Sequence, residues 1–376
     1  MKKKIFLISV NRSDYGIQKN LILALQKDKN IDFRLLITGA HLKKNFGMTK
    51  NEILEDNIKI SDKINFDIKN YTKTSVLNYI SFAIKKFSLI YKKYKPDLII
   101  ILGDRYEMLA AAIPTIILNI PVAHIHGGET TLGSFDNTIR NCITQISTLH
   151  FVCHEKYKKR VEEIKNNKKL IYNVGSLSVE SIFNNNFFEQ SFLEKKFNIK
   201  FKKKNILVTF HPITNCSTSS LNYLKNIFKA IKSFKDIQFI FTVPAPDPGN
   251  KKFIENIKIQ SKKNSNIVFV KSFGRKYYFS VVRKVDAVMG NSSSGIIEIP
   301  SFKIPTINIG NRQEGRIFCS SIVNSSYNAN DIKKNIKYIF QPDFQKKVAK
   351  EKNIFYKKNT LRNIINYLKK YLELKL

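Results

Sequence analysis

LGDRYEMLAAAIPTIILNIPVAHIHGGETTLGSFDNTIRN, residues 102–141, is the stretch whose reading decides the fold. Two short apolar runs, Leu98–Leu102 and Pro121–Ile125, each end in a glycine-rich or acidic turn. Asp104, Arg105, Glu107, His126, Glu129, Asp136 and Arg140 all lie at or past those turns. Open α/β sheets place ligands at the C-terminal ends of their strands, so charged residues delivered there point to an active site. The number of acids is ordinary; their position is the signal.

The same pattern extends outward. Lys4–Val10 reads as a buried strand, followed by the turn NRSDYG and a helical pattern over Ile17–Gln26. Phe33–Thr38 is a second strand, and the long glycine-punctuated loop after it carries His41, a candidate sugar contact. Ser75–Tyr94 has helical periodicity, with Leu77, Ile80, Ile84, Phe87 and Tyr91 on one side. Leu149–Val152 supplies another strand. Beyond about residue 175 a second series begins, with strands at Asn205–Phe210, Gln238–Val243, Ile267–Val270, Ala287–Met289 and Thr306–Ile309. Helical patterns fall at about 219–233, 252–262 and 276–284, and the lysine-rich tail from about Asp331 is helical. Repeated βα alternation implies parallel sheets with right-handed crossovers. The expected class is α/β, with two Rossmann-like, doubly wound domains facing each other across a cleft. Residues 1–175 form the first, 176–355 the second, and 356–376 a final helix that packs back on the first.

Composition bounds the rest. A chain of 376 residues, 43% hydrophobic and 25% charged, has the makeup of a globular protein with room for two cores. The formal charge of +36 is unusual. Its lysines are spread along the whole chain without a basic arm or an RNA-binding signature, which points away from nucleic acid and toward small anions. Cys142, Cys153, Cys216 and Cys319 form no C-x-x-C, an arrangement suited to a reducing cytoplasm rather than to zinc or a disulfide framework. No apolar run approaches a membrane span, and the N-terminal run is too short for a signal segment, so neither a membrane nor secretion is expected.

Several residues can hold a phosphate. MGNSSSGIIEIP, residues 289–300, follows a strand and opens a short helix, so Ser292, Ser293, Gly295 and free N–H groups offer an anion site. A serine-rich helix cap with no ligand has the same appearance. Glu298, one turn in, is placed to accept from a ribose diol. His211 follows a strand directly, and Arg312 leaves the last one. Arg12 follows the first strand, and guanidinium matches phosphate oxygens in pairs. His124 and His126 are two apart, which on a strand puts both rings on one face. With no third ligand to join them, no metal site is expected, and no cofactor.

With Arg12–Gly16, Thr38-Gly39, Gly103-Asp104-Arg105, HIHGGE, Asp136 with Arg140, His211-Pro212, GNSSSGIIEIP and GNRQEGR all in order, the chain resembles the hydrolysing UDP-N-acetylglucosamine 2-epimerases of bacterial sialic and legionaminic acid synthesis. The resemblance runs from residue 4 to about 320. It implies the GT-B fold, a homodimer or tetramer, and a two-stage reaction on a UDP-linked amino sugar. Asp104 and Asp136 match catalytic carboxylates, with Arg105 and Arg140 beside them as sugar contacts. Arg12, His211, Ser292, Ser293 and Arg312 match phosphate contacts, and Glu298 a ribose contact. More distant, non-hydrolysing relatives carry Glu at the place of His126, so that role passes to His126 or to Glu129. Asn137 and Asn141 stand where the hydrolysing family often has an acid and a histidine. Asn cannot act as a carboxylate base, which adds weight to Asp136.

The leading expectation is UDP-GlcNAc hydrolysed to ManNAc and UDP. Its nearest rival is the same reaction on UDP-N,N′-diacetylbacillosamine. A GT-B glycosyltransferase and a non-enzymatic sugar-nucleotide sensor are the alternatives from other classes.

Overall fold

The computed structural model describes residues 2–44, 47–66, 72–132, 135–213, 217–244 and 250–374. Cys216 and the pairs Asn45-Phe46 and Gly133-Ser134 of the quoted loops lie outside them. The chain divides into two compact units: 1–129 with 136–181 and 355–376, and 130–135 with 182–354.

The first unit holds seven parallel strands: β1 (Lys3–Ser9), β2 (Ile31–Ile37), β3 (Ile60–Lys63), β4 (Leu98–Leu102), β5 (Val122–Ile125), β6 (Leu149–Val152) and β7 (Ile171–Asn173). Their order is β3-β2-β1-β4-β5-β6-β7. Neighbouring residues of a strand point to opposite faces, and here both faces are covered. Ile5 and Leu7 of β1, with Leu98, Ile100 and Leu102 of β4, pack with residues of helices Arg12–Lys27 and Thr360–Tyr371. Phe6, Ile8, Ile99 and Ile101 pack on the other side with helices Lys73–Tyr94 and Tyr106–Ile117. A strand buried twice must be apolar at every position, which is why these runs are unbroken. Each such side chain contributes about 2 kcal/mol.

The second unit repeats the plan with six parallel strands: β8 (Lys204–Thr209), β9 (Ile237–Thr242), β10 (Ile267–Val270), β11 (Ala287–Gly290), β12 (Thr306–Ile309) and β13 (Ile322–Ser325), in the order β10-β9-β8-β11-β12-β13. Ile206, Val208, Phe239 and Phe241 pack into one core and Leu207 and Ile240 into the other. Thr130–Phe135 belongs to this unit: the Leu132 N–H donates to the Glu314 carbonyl at 3.2 Å, and the Thr130 hydroxyl donates to the Gly315 carbonyl.

The lysine-rich tail is three helices, Ala329–Ile339, Pro342–Ala349 and Thr360–Tyr371. The first two join the core of the second unit, and the last buries Ile364 and Leu368 in the first. No helix among the described residues is long and apolar enough to cross a membrane.

Candidate active site

In the first sheet the strand order reverses between β1 and β4. The connections on the two sides of that point run to opposite faces, which leaves a crevice at the strands' C-terminal ends. Asn11, Arg12 and Asp14 leave β1 there, and Gly103, Asp104 and Arg105 leave β4. Gly103, at φ +74, turns the chain, and its carbonyl accepts from His124 Nε2 at 2.8 Å. His124 also meets Thr144 Oγ1 through Nδ1, and burial pushes its pKa down to about 4. It is therefore a neutral structural ring.

His126 behaves differently. β5 ends at Ile125, and His126 takes a left-handed backbone, φ +64, so the two histidines do not share a strand face as their spacing suggested. The two glycines after it are needed for packing: a Cβ on Gly128 would stand 2.4 Å from the Tyr157 carbonyl, and one on Gly127 2.9 Å from His124. This turn brings Glu129 back onto His126, with Oε1 2.5 Å from Nδ1. Cys153 Sγ donates to the same oxygen at 3.3 Å. From helix Asp136–Ile146, Arg140 donates to the His126 carbonyl at 2.8 Å, lies 3.5 Å from Glu129 Oε2, and donates through its other terminal nitrogen to Asp104 Oδ2. Arg140 and Glu129 are almost fully buried, while Asp104 keeps 20% of its side chain exposed.

These contacts form a relay, Asp104–Arg140–Glu129–His126. A carboxylate can only accept, so Glu129 holds the proton on Nδ1 and leaves the lone pair on Nε2. That Nε2 is buried and has no partner among the described residues. Buried polar atoms are rarely left so, which marks it as a place for a ligand group. His126, Glu129 and Cys153 also offer three ligand atoms within 4.8 Å of one another. The 2.5 Å between Nδ1 and Oε1 suits a shared proton, whereas two ligands of a tetrahedral zinc sit about 3.3 Å apart. Arg140 would moreover oppose a dication there.

Asp136 opens its helix half-buried, one turn from Arg140, and Asn137 and Asn141 flank the same arginine. Asn141 Oδ1 is sealed from solvent without a partner among the described residues. Arg105 is turned onto Glu107, at 3.3 and 3.4 Å. Arg12 is half-buried, with Glu52 its chief opposite charge. His41 is fully buried with both ring nitrogens engaged, on Ser9 Oγ at 2.9 Å and Thr49 Oγ1 at 2.7 Å. Burial lowers its pKa to about 3, so it braces the loop as a neutral ring.

The second sheet reverses between β8 and β11, and His211 and Asn291 stand at that point. Asn291, which sequence reasoning passed over inside GNSSSG, is fully buried. Its side chain accepts from the His211 N–H at 2.7 Å and donates to the His211 carbonyl at 3.0 Å. Its own carbonyl accepts from Arg312 at 3.0 Å and Gln313 at 2.8 Å. One residue thus ties three strand exits together. Gly290 permits it: at φ +140, a Cβ would lie 1.9 Å from the Thr209 carbonyl.

The helix after the serines spans only Ser294–Ile297 before a 3₁₀ turn, Ile299–Phe302. The Gly295 and Ile296 N–H groups already donate to the Ser292 and Ser293 carbonyls. A four-residue helix contributes little dipole, so its end has little to offer an anion, and the Ser292 and Ser293 hydroxyls and the Arg312 guanidinium are the donors present here. Glu298 is buried, and Tyr278 shares a hydrogen bond with Ser294 at 3.1 Å. Burial, with Glu298 adding to it, pushes that phenol up to about 12.

Asn291→Ala leaves the Arg312 contact to its carbonyl but strips both groups of His211. We expect a loss of about 1–3 kcal/mol from two unmade, partly buried hydrogen bonds. Thermal unfolding should show a lower transition, and an unchanged midpoint would show that this clamp does not hold the strand exits together.

Two doubly wound parallel units, each with a polar cluster at its strand-order reversal, define a protein of the GT-B class. The solved UDP-GlcNAc 2-epimerase from Neisseria meningitidis has a similar fold, with a TM-score of 0.83 at 19% identity, covering 98% of this chain and 100% of that one. The enzyme from Methanocaldococcus jannaschii has a TM-score of 0.80 at 20% identity, with 98% and 99% covered. The UDP-N-acetylglucosamine 2-epimerase family model matches residues 23–369, and the chain belongs to that family. A Campylobacter jejuni relative named GDP/UDP-N,N′-diacetylbacillosamine 2-epimerase (hydrolyzing) is 38% identical over 87% of this chain and 85% of its own length. The Escherichia coli polysialic acid biosynthesis protein P7 is 32% identical over 99% and 95%.

Proposed function

We propose that this protein is a hydrolysing 2-epimerase of a UDP-linked 2-acetamido sugar. The observation that carries the reading is the relay from Asp104 through Arg140 and Glu129 to the open Nε2 of His126. In the first stage a base takes the proton from C2. The C2–H pair becomes the C1=C2 bond, and the C1–O bond breaks with its electrons leaving on UDP. In the second, water bonds through oxygen to C1 and gives up a proton to a base, while an acid protonates C2 on the opposite face. The product is the free 2-epimer.

That sequence asks for two groups able to hold or release a proton, and His126 Nε2 and Asp104 are the pair we assign, with Asp136 supporting them from its helix. Glu129 fixes the imidazole tautomer rather than competing for its role. Within the second unit, Ser292, Ser293, His211 and Arg312 are the phosphate contacts we assign, with Gly295 giving them close backbone and Glu298 the ribose contact.

For the sugar, UDP-GlcNAc, yielding ManNAc, is our first assignment. A second reading, UDP-N,N′-diacetylbacillosamine, is favoured by the names of the relatives from Campylobacter jejuni and Legionella pneumophila, at 38% and 31% identity. Incubation with each UDP-sugar and with the GDP-linked form in D2O, followed by NMR, separates them. The expected product is a free 2-epimerised sugar carrying deuterium at C2. UDP release only on adding an acceptor would point to a glycosyltransferase, and no turnover of any donor would sink both.

A further inference from the structure

Of the carboxyls at the crevice between β1 and β4 that the reaction above does not use, Asp14 is the one without an ion-pair partner among the described residues. Asp14 lies in the first turn of helix Arg12–Lys27, and its N–H is held by the Asn11 side chain at 3.0 Å. Its Oδ2 is sealed from solvent and has no partner among the described residues. Its neighbours are differently placed. Asp104 and Glu129 share Arg140, and Glu107 has Arg105 at 3.3 Å. The charged groups facing Asp14 are Arg105, Glu107 and Asp104, one cation already engaged and two anions. One turn on along the same helix face, Gln18 is fully buried with both amide atoms unpartnered among the described residues. This stretch of the helix therefore presents polar groups that nothing among the described residues satisfies, beside the proposed proton-handling residues.

We propose that Asp14 is a further substrate-binding residue, whose sealed carboxyl oxygen Oδ2 hydrogen-bonds the bound sugar nucleotide at the exit of β1. The proposal rests on the sugar-nucleotide reading above. A protonated carboxyl is a donor as well as an acceptor, and a sealed donor without a protein partner is completed by a ligand. Ionised, the same group would lose its hydrogen and repel a diphosphate. Burial pushes the Asp14 pKa up to about 7, with Glu107 and Asp104 adding to it against Arg105 and the Asn11 hydrogen bond. The donor is thus present below neutrality and lost as pH rises through that value. Between pH 6 and 8 the protonated fraction falls about tenfold for such a midpoint.

The test is KM for the turned-over sugar nucleotide at pH 6 and pH 8, with kcat alongside, in the wild-type enzyme and in Asp14→Asn. The wild-type KM should rise about tenfold. In Asp14→Asn, whose amide donates at both pH values, the ratio of the two KM values should be near one, whatever the absolute rate. A wild-type ratio that persists in Asp14→Asn overturns the proposal. Carbon-13 NMR of aspartate-labelled wild-type protein gives a reading that needs no variant activity. An Asp14 carboxyl midpoint near 7 supports the proposal, and one in the ordinary carboxylate range overturns it while any measured turnover leaves the assigned reaction standing. A protein that turns over no nucleotide sugar, even with Asp14 titrating near 7, overturns the assigned reaction and the donation to substrate together.

Discussion

Arg140→Met should destabilise the first unit by about 3–5 kcal/mol and abolish turnover. The guanidinium is almost fully buried and is the only cation that the described contacts give to both Asp104 and Glu129. Methionine fills a similar volume but removes the counter-charge that Asp104 and Glu129 share, and Glu129 is sealed from water. Removing one partner of a buried pair costs far more than the pair itself contributes, because the remaining charge is left without solvent or counterion. The His126 carbonyl loses its donor at 2.8 Å as well, so the strained turn that aims the imidazole loosens. Thermal or urea unfolding measures the loss. Arg140→Lys keeps the charge without the fork and should fall between the two. A Met variant as stable as the wild type would show that Arg140 does not hold the relay together.

Asp104→Asn acts on chemistry with little effect on folding. The amide is the same size and can still accept from Arg140, so the relay keeps its shape. What disappears is a group able to take or give a proton. We expect kcat to fall by about 10³, within the range a positioned general acid or base supplies. UDP affinity should change little, because the diphosphate contacts assigned here lie at other residues. Single-turnover kinetics with isothermal titration of UDP separates the two quantities. Activity within a few-fold of wild type would remove Asp104 from proton transfer.

The interior strands were readable because burial on both faces demands uninterrupted apolar runs: β1, β4, β8 and β9 appear in the sequence within a residue of their observed bounds. The strands that were missed, β3 (ISDK), β7 (IYN) and β13 (IVNS), lie at sheet edges. These three are short and carry polar residues, so their pattern falls below what periodicity can detect, whereas the edge strand β10 (IVFV) is apolar throughout and was legible. Ahead of the final helix the lysine-rich tail splits in two at Pro342, which starts a helix, and 350–359 is irregular. A proline at a first turn is as compatible with a start as with a break.

The site divided in the same way. Glycine-rich and acidic turns at strand ends marked Asp104, His126, Glu129 and the GNSSSG loop as candidates, and a strand exit marked His211, from local sequence alone. Asp14 did not stand out, since an acid in a helix's first turn is ordinary end-compensation. Arg140, one arginine on an amphipathic helix, read as a sugar contact, and only the fold sets it against Asp104, 36 residues away. By itself, then, the sequence determined the α/β class, the two series of parallel strands, the family and the turns where charge collects, because each of these depends on short-range pattern. Tertiary structure alone decided which of those charges face one another, which lose their water and which ring nitrogen stays open. Pairing and desolvation are properties of the space between elements, and they set whether a carboxylate is a base, a strut or a neutral acid.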